Sequence, residues 1–237
     1  MRRVRERDFK EHQLLSDQVS PPIDGAPPEP VARIATIMSS YPAPWALCGG
    51  WAVDAWLGRI SRDHGDVDVS VFDAHHAQLA EHLGGWQLIA HTSVGDDAST
   101  GLWDGRKLPV PSHIHARSPA DSGPLPKDGI CEPAKGWWLD IQIDGIEGDE
   151  WVLRREPYVS LPLVDAVRVS DWGVPVTAPE TVLFLKAVAP RRRDWRDFVA
   201  CLPQLDEPQI IWLRDAIERT YGEHPWMEAL SWALGKR

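Results

Sequence analysis

The sequence predicts an α+β protein in which a region of strands and helices is followed by a helical C-terminal lobe. Two segments, HGDVDVSVF (64–72) and WWLDIQI (137–143), alternate between polar and apolar residues, as strands with one buried face do. From APETVLFLKA (178–187) onward the sequence instead reads as successive helices separated by prolines and glycines. We therefore expect an N-terminal arm or linker over 1–29, a sheet-containing domain over 30–170 and a helical C-terminal domain over 171–237.

The elements of the first half have recognisable boundaries. PVARIATIMSS (30–40) places apolar residues about one helical turn apart, which predicts a helix. A short apolar strand at 46–48 runs into a glycine pair and then into the helix WAVDAWL (51–57), which Gly58 is suited to cap. The next predicted helix is HHAQLAEHLGG (75–85), which ends at two glycines.

The second half begins with a predicted hairpin. WWLDIQI and the segment GDEWVLRREP (148–157) read as partner strands that turn around DGIEG (144–148). Further on, Thr177 and Glu180 have the spacing of a capping box, with a proline in the first helical turn between them. This spacing predicts that Thr177 caps the first helix of the C-terminal lobe.

Composition and charge exclude several classes of protein. No apolar run approaches the roughly 20 residues that a membrane-spanning helix needs, and the basic N-terminus lacks the apolar core of a secretory signal, so we expect a cytoplasmic protein. Cys48, Cys131 and Cys201 are too far apart for a disulfide framework or a paired metal motif. A net charge of -10 argues against nucleic acid as a partner and suits a small cationic substrate better.

Aspartates within an apolar strand are the main indication of chemistry. Asp66 and Asp68 alternate with valines, so both carboxylates point to the same side of the strand, with Cβ atoms about 7 Å apart. This spacing lets both bind one pair of hard divalent cations such as Mg²⁺. Asp140 is the best candidate for a third ligand because it also lies in an alternating strand, whereas Asp144 and Asp149 lie in turn-like sequence.

A glycine pair precedes these aspartates along the chain. Gly49 and Gly50 lie in a strand-to-helix turn, where glycine lets the backbone approach a phosphate and present helix N–H groups to it. Carboxylates that hold two metal ions beside a phosphate-binding turn are the machinery of phosphoryl or nucleotidyl transfer. The sequence therefore predicts an enzyme of this type.

Together these motifs resemble a known family. Gly49 and Gly50 followed by WAVD, then LGR, an arginine-containing turn and H-x-D-x-D closely resemble the aminoglycoside 2″-adenylyltransferase family of the polymerase-β-like nucleotidyltransferase superfamily, over residues 45–72. The later LD strand and the helix APETVLFLKA followed by RRRDWRDF are similar in layout. The resemblance implies a nucleotidyltransferase fold over 30–170, with a mixed β-sheet flanked by helices and a helical C-terminal lobe.

The resemblance also implies the reaction and its cofactors. A nucleoside monophosphate, AMP from ATP or another nucleoside triphosphate, would be moved to a hydroxyl of a small molecule with the help of two Mg²⁺ ions. The implied roles are triphosphate binding by Gly49 and Gly50, metal binding by Asp66 and Asp68, metal binding and base catalysis by Asp140, and neutralisation of phosphate by Lys186. The alternatives are a toxin-like nucleotidyltransferase acting on tRNA or protein, and a silent relative that binds nucleotide without turnover.

The acceptor is expected to be cationic, with an aminoglycoside as the candidate. Carboxylates on the cleft rim would hold its ammonium groups, and Asp96, Asp97 and Asp104 in the segment 91–136 are candidates. That segment is rich in glycine and proline and longer than the resemblance leads us to expect, and it permits short strands or a long loop.

Several other residues have two interpretations. His113 and His115 would share a strand face and could bind zinc, but no cysteine or carboxylate set nearby completes a site, so loop polarity is the preferred explanation. Trp103, Trp137 and Trp138 are candidates for stacking on a base or contacting a cationic substrate. The arginines at 191–193 are either a solvated cluster or a grip on phosphate.

Overall fold

The strands in the described part of the chain form a ten-stranded mixed sheet. The computed structural model describes residues 26–92, 99–121, 139–153 and 158–236. The strands are β1 Trp45–Cys48, β2 Val67–Phe72, β3 Gln87–Thr92, β4 Ser99–Leu102, β5 Ser112–Arg117, β6 Leu139–Glu147, β7 Glu150–Val152, β8 Ser160–Pro162, β9 Val167–Val169 and β10 Pro175–Thr177. Their order is β4-β3-β5-β6-β2-β1-β10-β9, and β7 joins β6 to β8.

Helices flank this sheet and dominate the C-terminal part. They are α1 Glu29–Met38, α2 Gly49–Leu57, α3 His76–His82, α4 Leu163–Ala166, α5 Pro179–Lys186, α6 Arg192–Cys201, α7 Glu207–Tyr221 and α8 Met227–Gly235. The predicted fold class, a mixed sheet flanked by helices with a helical C-terminal part, is confirmed. The division into domains at residues 29 and 170 stays a prediction, and residues 1–25 lie outside the described part of the chain.

Pairing of the central strands brings the two aspartate-bearing segments together. β2 runs parallel to β6 and antiparallel to β1, and β6 also pairs antiparallel with β5. Val67, Val69 and Val71 of β2 are buried in the core, on the opposite face from Asp68. The sheet therefore has an apolar face within the core and, near the ends of β2 and β6, a face that carries polar side chains.

Two local predictions are wrong in detail. The hairpin turns at Gly148 and Asp149, because β6 continues to Glu147 and pairs with β7 through the predicted turn segment. Thr177 does not cap α5, since it is the last residue of β10 and pairs with Val167. The N-cap position is Ala178, which makes no capping hydrogen bond through its side chain. Sheet pairing thus uses the residue that the capping spacing had assigned to the helix.

Within the described ranges, no helix is both long enough and apolar enough to cross a membrane.

Candidate active site

A cavity of about 920 Å³ opens between the polar face of the sheet and the helices α5 and α6. The end of β1, the start of α2, the loop at 62–66, β2 and β6 line one side of it, and α5 and α6 line the other. The six residues for which the sequence predicts catalytic, metal-binding or phosphate-binding roles all line this cavity, namely Gly49, Gly50, Asp66, Asp68, Asp140 and Lys186. The structure therefore brings together six residues from three separate parts of the chain.

Carboxylates form the sheet side of the cavity. Asp68 of β2 and Asp140 of β6 are register partners on parallel strands, which places their Cα atoms about 5 Å apart. Asp66 comes directly before β2 and is exposed, whereas Asp68 is half-buried. The Asp140 side chain is 20% exposed. The three carboxylates thus share one partly shielded edge, where they can act on a common ligand.

The glycine turn is packed directly against these carboxylates. Gly49 has φ +66°, a left-handed conformation that side chains strain, and a Cβ atom there would overlap the carboxylate of Asp68. A Cβ atom on Gly50 would overlap the side chains of Arg62 and His64. Glycine is therefore required at position 49 by backbone conformation and by the Asp68 carboxylate, whereas a side chain at position 50 would displace Arg62 or His64.

A buried aspartate fixes the loop that leads to Asp66. Asp54 of α2 is fully buried, and its Oδ1 accepts hydrogen bonds from the Ser61 hydroxyl and, over 3.0 Å, from the Ser61 N–H. Its Oδ2 lies 2.6 Å from His64 Nε2, and the His64 ring packs on Trp51 at a centroid distance of 4.3 Å. The loop is thus anchored to α2 on both sides of Arg62.

Sequence reasoning had assigned no role to Asp54 or His64. The signal for Asp54 was available, because a carboxylate in the middle of the apolar helix WAVDAWL needs a partner. The identity of that partner is decided by the path of the loop after α2.

Cations from the loop and α5 meet buried carboxylates of α6 on the helical side. The Asp197 side chain is only 1% exposed and forms two ion pairs: its Oδ2 lies 2.8 Å from Lys186 Nζ, and its Oδ1 lies 3.1 Å from Arg62 Nε. Lys186 also lies 3.5 Å from Asp194. Although burial opposes the charge, hydrogen bonding to Asp197 raises the pKa of Arg62 above its ordinary value. Lys186 is therefore a cavity-wall cation held in place by two carboxylates, and its contact with phosphate stays a prediction.

The arginine cluster after α5 lies partly at the cavity. Arg191 and Arg193 line it, as does Arg196 of α6. Arg191 is tied down, since its Nε lies 2.9 Å from Asp194, and its own N–H donates to the same carboxylate. The cavity thus has a mainly acidic sheet side and a mainly basic helical side.

The HIH segment is a strand rather than a polar loop, so the preferred explanation of these histidines was wrong. His113 and His115 belong to β5, where they share a face, and His91 of β3 joins them. His115 Nε2 lies 3.8 Å from Asp140 Oδ2. Burial lowers the pKa of His91, and burial together with the neighbouring His91 lowers the pKa of His115 to about 4. The sequence pattern around His113 could not predict this group of three histidines, because His91 is distant in sequence.

Two residues proposed for substrate contact have other roles. Trp103 is buried, and its indole N–H donates to the Arg106 carbonyl, so it is a core residue. Asp104 pairs with Arg106 at 3.3 Å and is not among the described residues that line the cavity. Asp96, Asp97, Trp137 and Trp138 lie outside the described residues.

A protein-family model matches part of this chain. Residues 30–94 match the model of the aminoglycoside-2″-adenylyltransferase family. The predicted resemblance to this family is confirmed over these residues. The match runs from α1 through β3 and includes Gly49, Gly50, Asp66 and Asp68, whereas Asp140 and Lys186 lie beyond it. The expectation of a nucleotidyltransferase-type enzyme is confirmed at the level of the family.

Solved structures give more distant likenesses, and no curated protein matches the chain. The crystal structure of ANT(2″)-Ia in complex with adenylyl-2″-tobramycin is 16% identical, with 80% of this chain and 95% of that chain covered and a TM-score of 0.48. The solution structure of ANT(2″)-Ia is 17% identical, with coverage of 88% and 96% and a TM-score of 0.49. An antigenic nucleotidyltransferase-like protein from Paracoccidioides brasiliensis is 17% identical, with coverage of 86% and 90% and a TM-score of 0.44.

Proposed function

We propose that this protein is a Mg²⁺-dependent nucleotidyltransferase that moves a nucleoside monophosphate, AMP from ATP, to a hydroxyl of a small molecule. The observation that carries the proposal is the cavity itself, with three aspartates on its sheet side and a lysine and arginines on its helical side. A metal-bound triphosphate needs both, because carboxylates bind the ions and cations neutralise the phosphate oxygens.

The carboxylates present are of the chemical type that binds divalent magnesium. Asp66, Asp68 and Asp140 supply the carboxylate oxygens that Mg²⁺ prefers, and they share one edge of the sheet. We assign two Mg²⁺ ions to these three residues. When bound, such ions stabilise charge on the triphosphate and lower the pKa of an attacking hydroxyl.

The protein's own groups then divide the remaining tasks. We assign triphosphate binding to the N–H groups at Gly49 and Gly50, because both residues line the cavity at the start of α2 and neither carries a side chain that would keep a phosphate away. Lys186 neutralises phosphate charge from the opposite side of the cavity, where Asp194 and Asp197 hold its ammonium group in place. Asp140 accepts the proton of the acceptor hydroxyl and so acts as general base.

For the acceptor we propose an aminoglycoside, which would make the protein an antibiotic-resistance enzyme. The family match supports this assignment, since its members are aminoglycoside-2″-adenylyltransferases. A second support is Asp63, an exposed carboxylate that lines the cavity and is placed to meet an ammonium group. The net charge of -10 also favours a cationic acceptor over tRNA.

A transfer assay tests the reaction and the acceptor separately. The protein is incubated with each labelled nucleoside triphosphate, Mg²⁺ and either kanamycin, gentamicin, tobramycin or an uncharged sugar, and pyrophosphate and product mass are followed. We expect an aminoglycoside heavier by one AMP, with loss of product in Asp68→Asn. Asp104→Asn is the matched control, because this exposed aspartate lies outside the cavity lining, and it should retain activity.

The outcomes separate the claims. Transfer to the uncharged sugar alone would remove the aminoglycoside and leave the nucleotidyltransferase. Full transfer activity in Asp68→Asn would remove the carboxylates from the mechanism. Binding of the aminoglycosides, measured by calorimetry with an ATP analogue and Mg²⁺ present, should weaken as salt rises, because exposed charge pairs are screened over about 8 Å at physiological ionic strength.

A further inference from the structure

Three histidines from two neighbouring strands converge on the polar face of the sheet. His91 of β3 and His113 of β5 are register partners, and His115 lies two residues further along β5 on the same face. The rings of His91 and His113 stack at a centroid distance of 4.6 Å, and His115 lies 4.5 Å from His91 and 5.1 Å from His113. One nitrogen of each ring lies within 4.8 Å of the others.

The His91 ring is oriented as a metal ligand would be. Its Nδ1 is hydrogen-bonded over 3.1 Å to Thr100 Oγ1 on the adjacent strand β4. Its Nε2 is buried and makes no hydrogen bond within the described part of the chain. Histidines that bind metals commonly donate their second ring N–H to an oxygen, which leaves the other nitrogen as the ligand. Thr100 fills that supporting position here.

We propose that His91, His113 and His115 form a binding site for a divalent transition metal of the zinc class. Three imidazole nitrogens suit Zn²⁺, Co²⁺, Ni²⁺ or Cu²⁺ and are poor ligands for Mg²⁺, which prefers oxygen. Zn–N bonds of about 2.0–2.1 Å in a tetrahedron separate the nitrogens by about 3.3 Å. From separations of up to 4.8 Å, movements of about 1 Å through ring rotation close the site.

The proposed site is adjacent to the carboxylates but distinct from them in chemistry. His115 of β5 is the register partner of Asp140, and Asp140 is in turn the partner of Asp68. His115 Nε2 lies 3.8 Å from Asp140 Oδ2, and His113 lines the cavity. Three protein ligands leave one position of a tetrahedral ion open for water. The histidine site does not depend on the proposed transfer reaction.

Metal titration of the full-length, metal-free protein tests the proposal. Co²⁺ binding is followed by its visible absorption, which is strong in four- and five-coordinate sites and weak in octahedral ones, and Zn²⁺ affinity is measured by competition with a chelating dye. We expect His91→Gln, which removes a ligand outright, to weaken Zn²⁺ binding at least about a hundredfold. His75→Gln is the matched control, because His75 lies in the turn before α3 and outside the histidine group. The Zn²⁺ affinity of this variant should differ from that of the wild type by less than about twofold.

Two further measurements separate this site from the carboxylates. An excess of Mg²⁺ should leave the bound Zn²⁺ in place, and Asp68→Asn should retain Zn²⁺ affinity within about twofold, because neither affects the imidazole ligands. Thr100→Val keeps all three rings but removes the oxygen that orients His91, and we expect a smaller loss of affinity, about tenfold. Thr100 is exposed, so this variant tests the site even if His91→Gln does not fold.

The proposal is overturned by several results. The first is the absence of strong Co²⁺ absorption in the wild type. The second is equal Zn²⁺ affinity in the wild type and in the folded His91→Gln and Thr100→Val variants. The third is loss of the bound Zn²⁺ on adding Mg²⁺ or in the Asp68→Asn variant.

Discussion

Substitution of Gly49 by alanine tests whether the glycine turn is built around the Asp68 carboxylate. Gly49 adopts φ +66°, and an added Cβ would overlap that carboxylate. Gly58 at the end of α2 adopts nearly the same conformation, φ +65°, yet a Cβ there would meet its nearest atom, Asp171 Oδ2, at 3.8 Å. The two glycines therefore share the backbone strain and differ in the close approach.

The expected magnitudes follow from this comparison. A left-handed conformation costs an L-residue about 1–2 kcal/mol, so Gly58→Ala should lower the free energy of unfolding by that amount. Gly49→Ala carries the same strain and adds an overlap that Asp68 must relieve by moving, which typically costs a further 1–3 kcal/mol. The Gly49 variant should therefore be less stable than the Gly58 variant by about 1–3 kcal/mol.

The assay combines stability with nucleotide binding. Unfolding in urea gives the two free energies, and calorimetry with a non-hydrolysable ATP analogue and Mg²⁺ gives binding. We expect Gly58→Ala to bind the analogue like the wild type, and Gly49→Ala to lose binding at least tenfold because its Asp68 is displaced. Equal destabilisation of the two variants, with binding intact in both, would refute the packing of the turn against the carboxylate.

Three other predictions concern charged groups. Asp140→Asn should lower turnover far more than it weakens triphosphate binding, because a general base acts in the transition state. Asp197→Asn should cost about 3–5 kcal/mol of stability in urea unfolding, because it leaves the largely buried Lys186 and Arg62 without their shared carboxylate. Burial raises the pKa of the Glu180 carboxyl above 4.5 in the folded protein. The protonated side chain therefore contributes stability below about that pH, and this contribution is lost as pH rises through the folded-state pKa. The stability of Glu180→Gln relative to the wild type should consequently increase between about pH 4 and pH 8.

Each of these has a result that contradicts it. Equal losses of turnover and binding in Asp140→Asn would make Asp140 a binding group only. Asp165→Asn is the control for Asp197, because its pair with Arg168 is exposed and should contribute at most about 1 kcal/mol; similar costs for both variants would contradict the buried network. A difference between Glu180→Gln and the wild type that stays constant with pH would show that the folded-state pKa of Glu180 is not raised.

Much of the candidate site was predictable because its residues lie in short, regular patterns. Alternation in HGDVDVSVF and WWLDIQI placed Asp68 and Asp140 in strands, and the glycine pair marked the turn into α2. The capping spacing of Thr177 failed because strand pairing with β9 competes for that residue. The HIH segment was interpreted as a polar loop because β5 lies in a region where glycine and proline obscure the strand pattern.

Residue order in the chain was enough to predict the strand faces, the glycine turn and the family resemblance, since each depends on neighbours within a few positions. Tertiary pairing decided which faces meet. Asp140 stands beside Asp68 because β6 pairs parallel with β2, His91 joins His113 because β3 pairs with β5, and Lys186 meets Asp197 because α5 contacts α6. The physical reason is that the repeat of a strand or helix fixes the face on which each side chain lies, whereas packing over the whole chain determines which other element that face contacts.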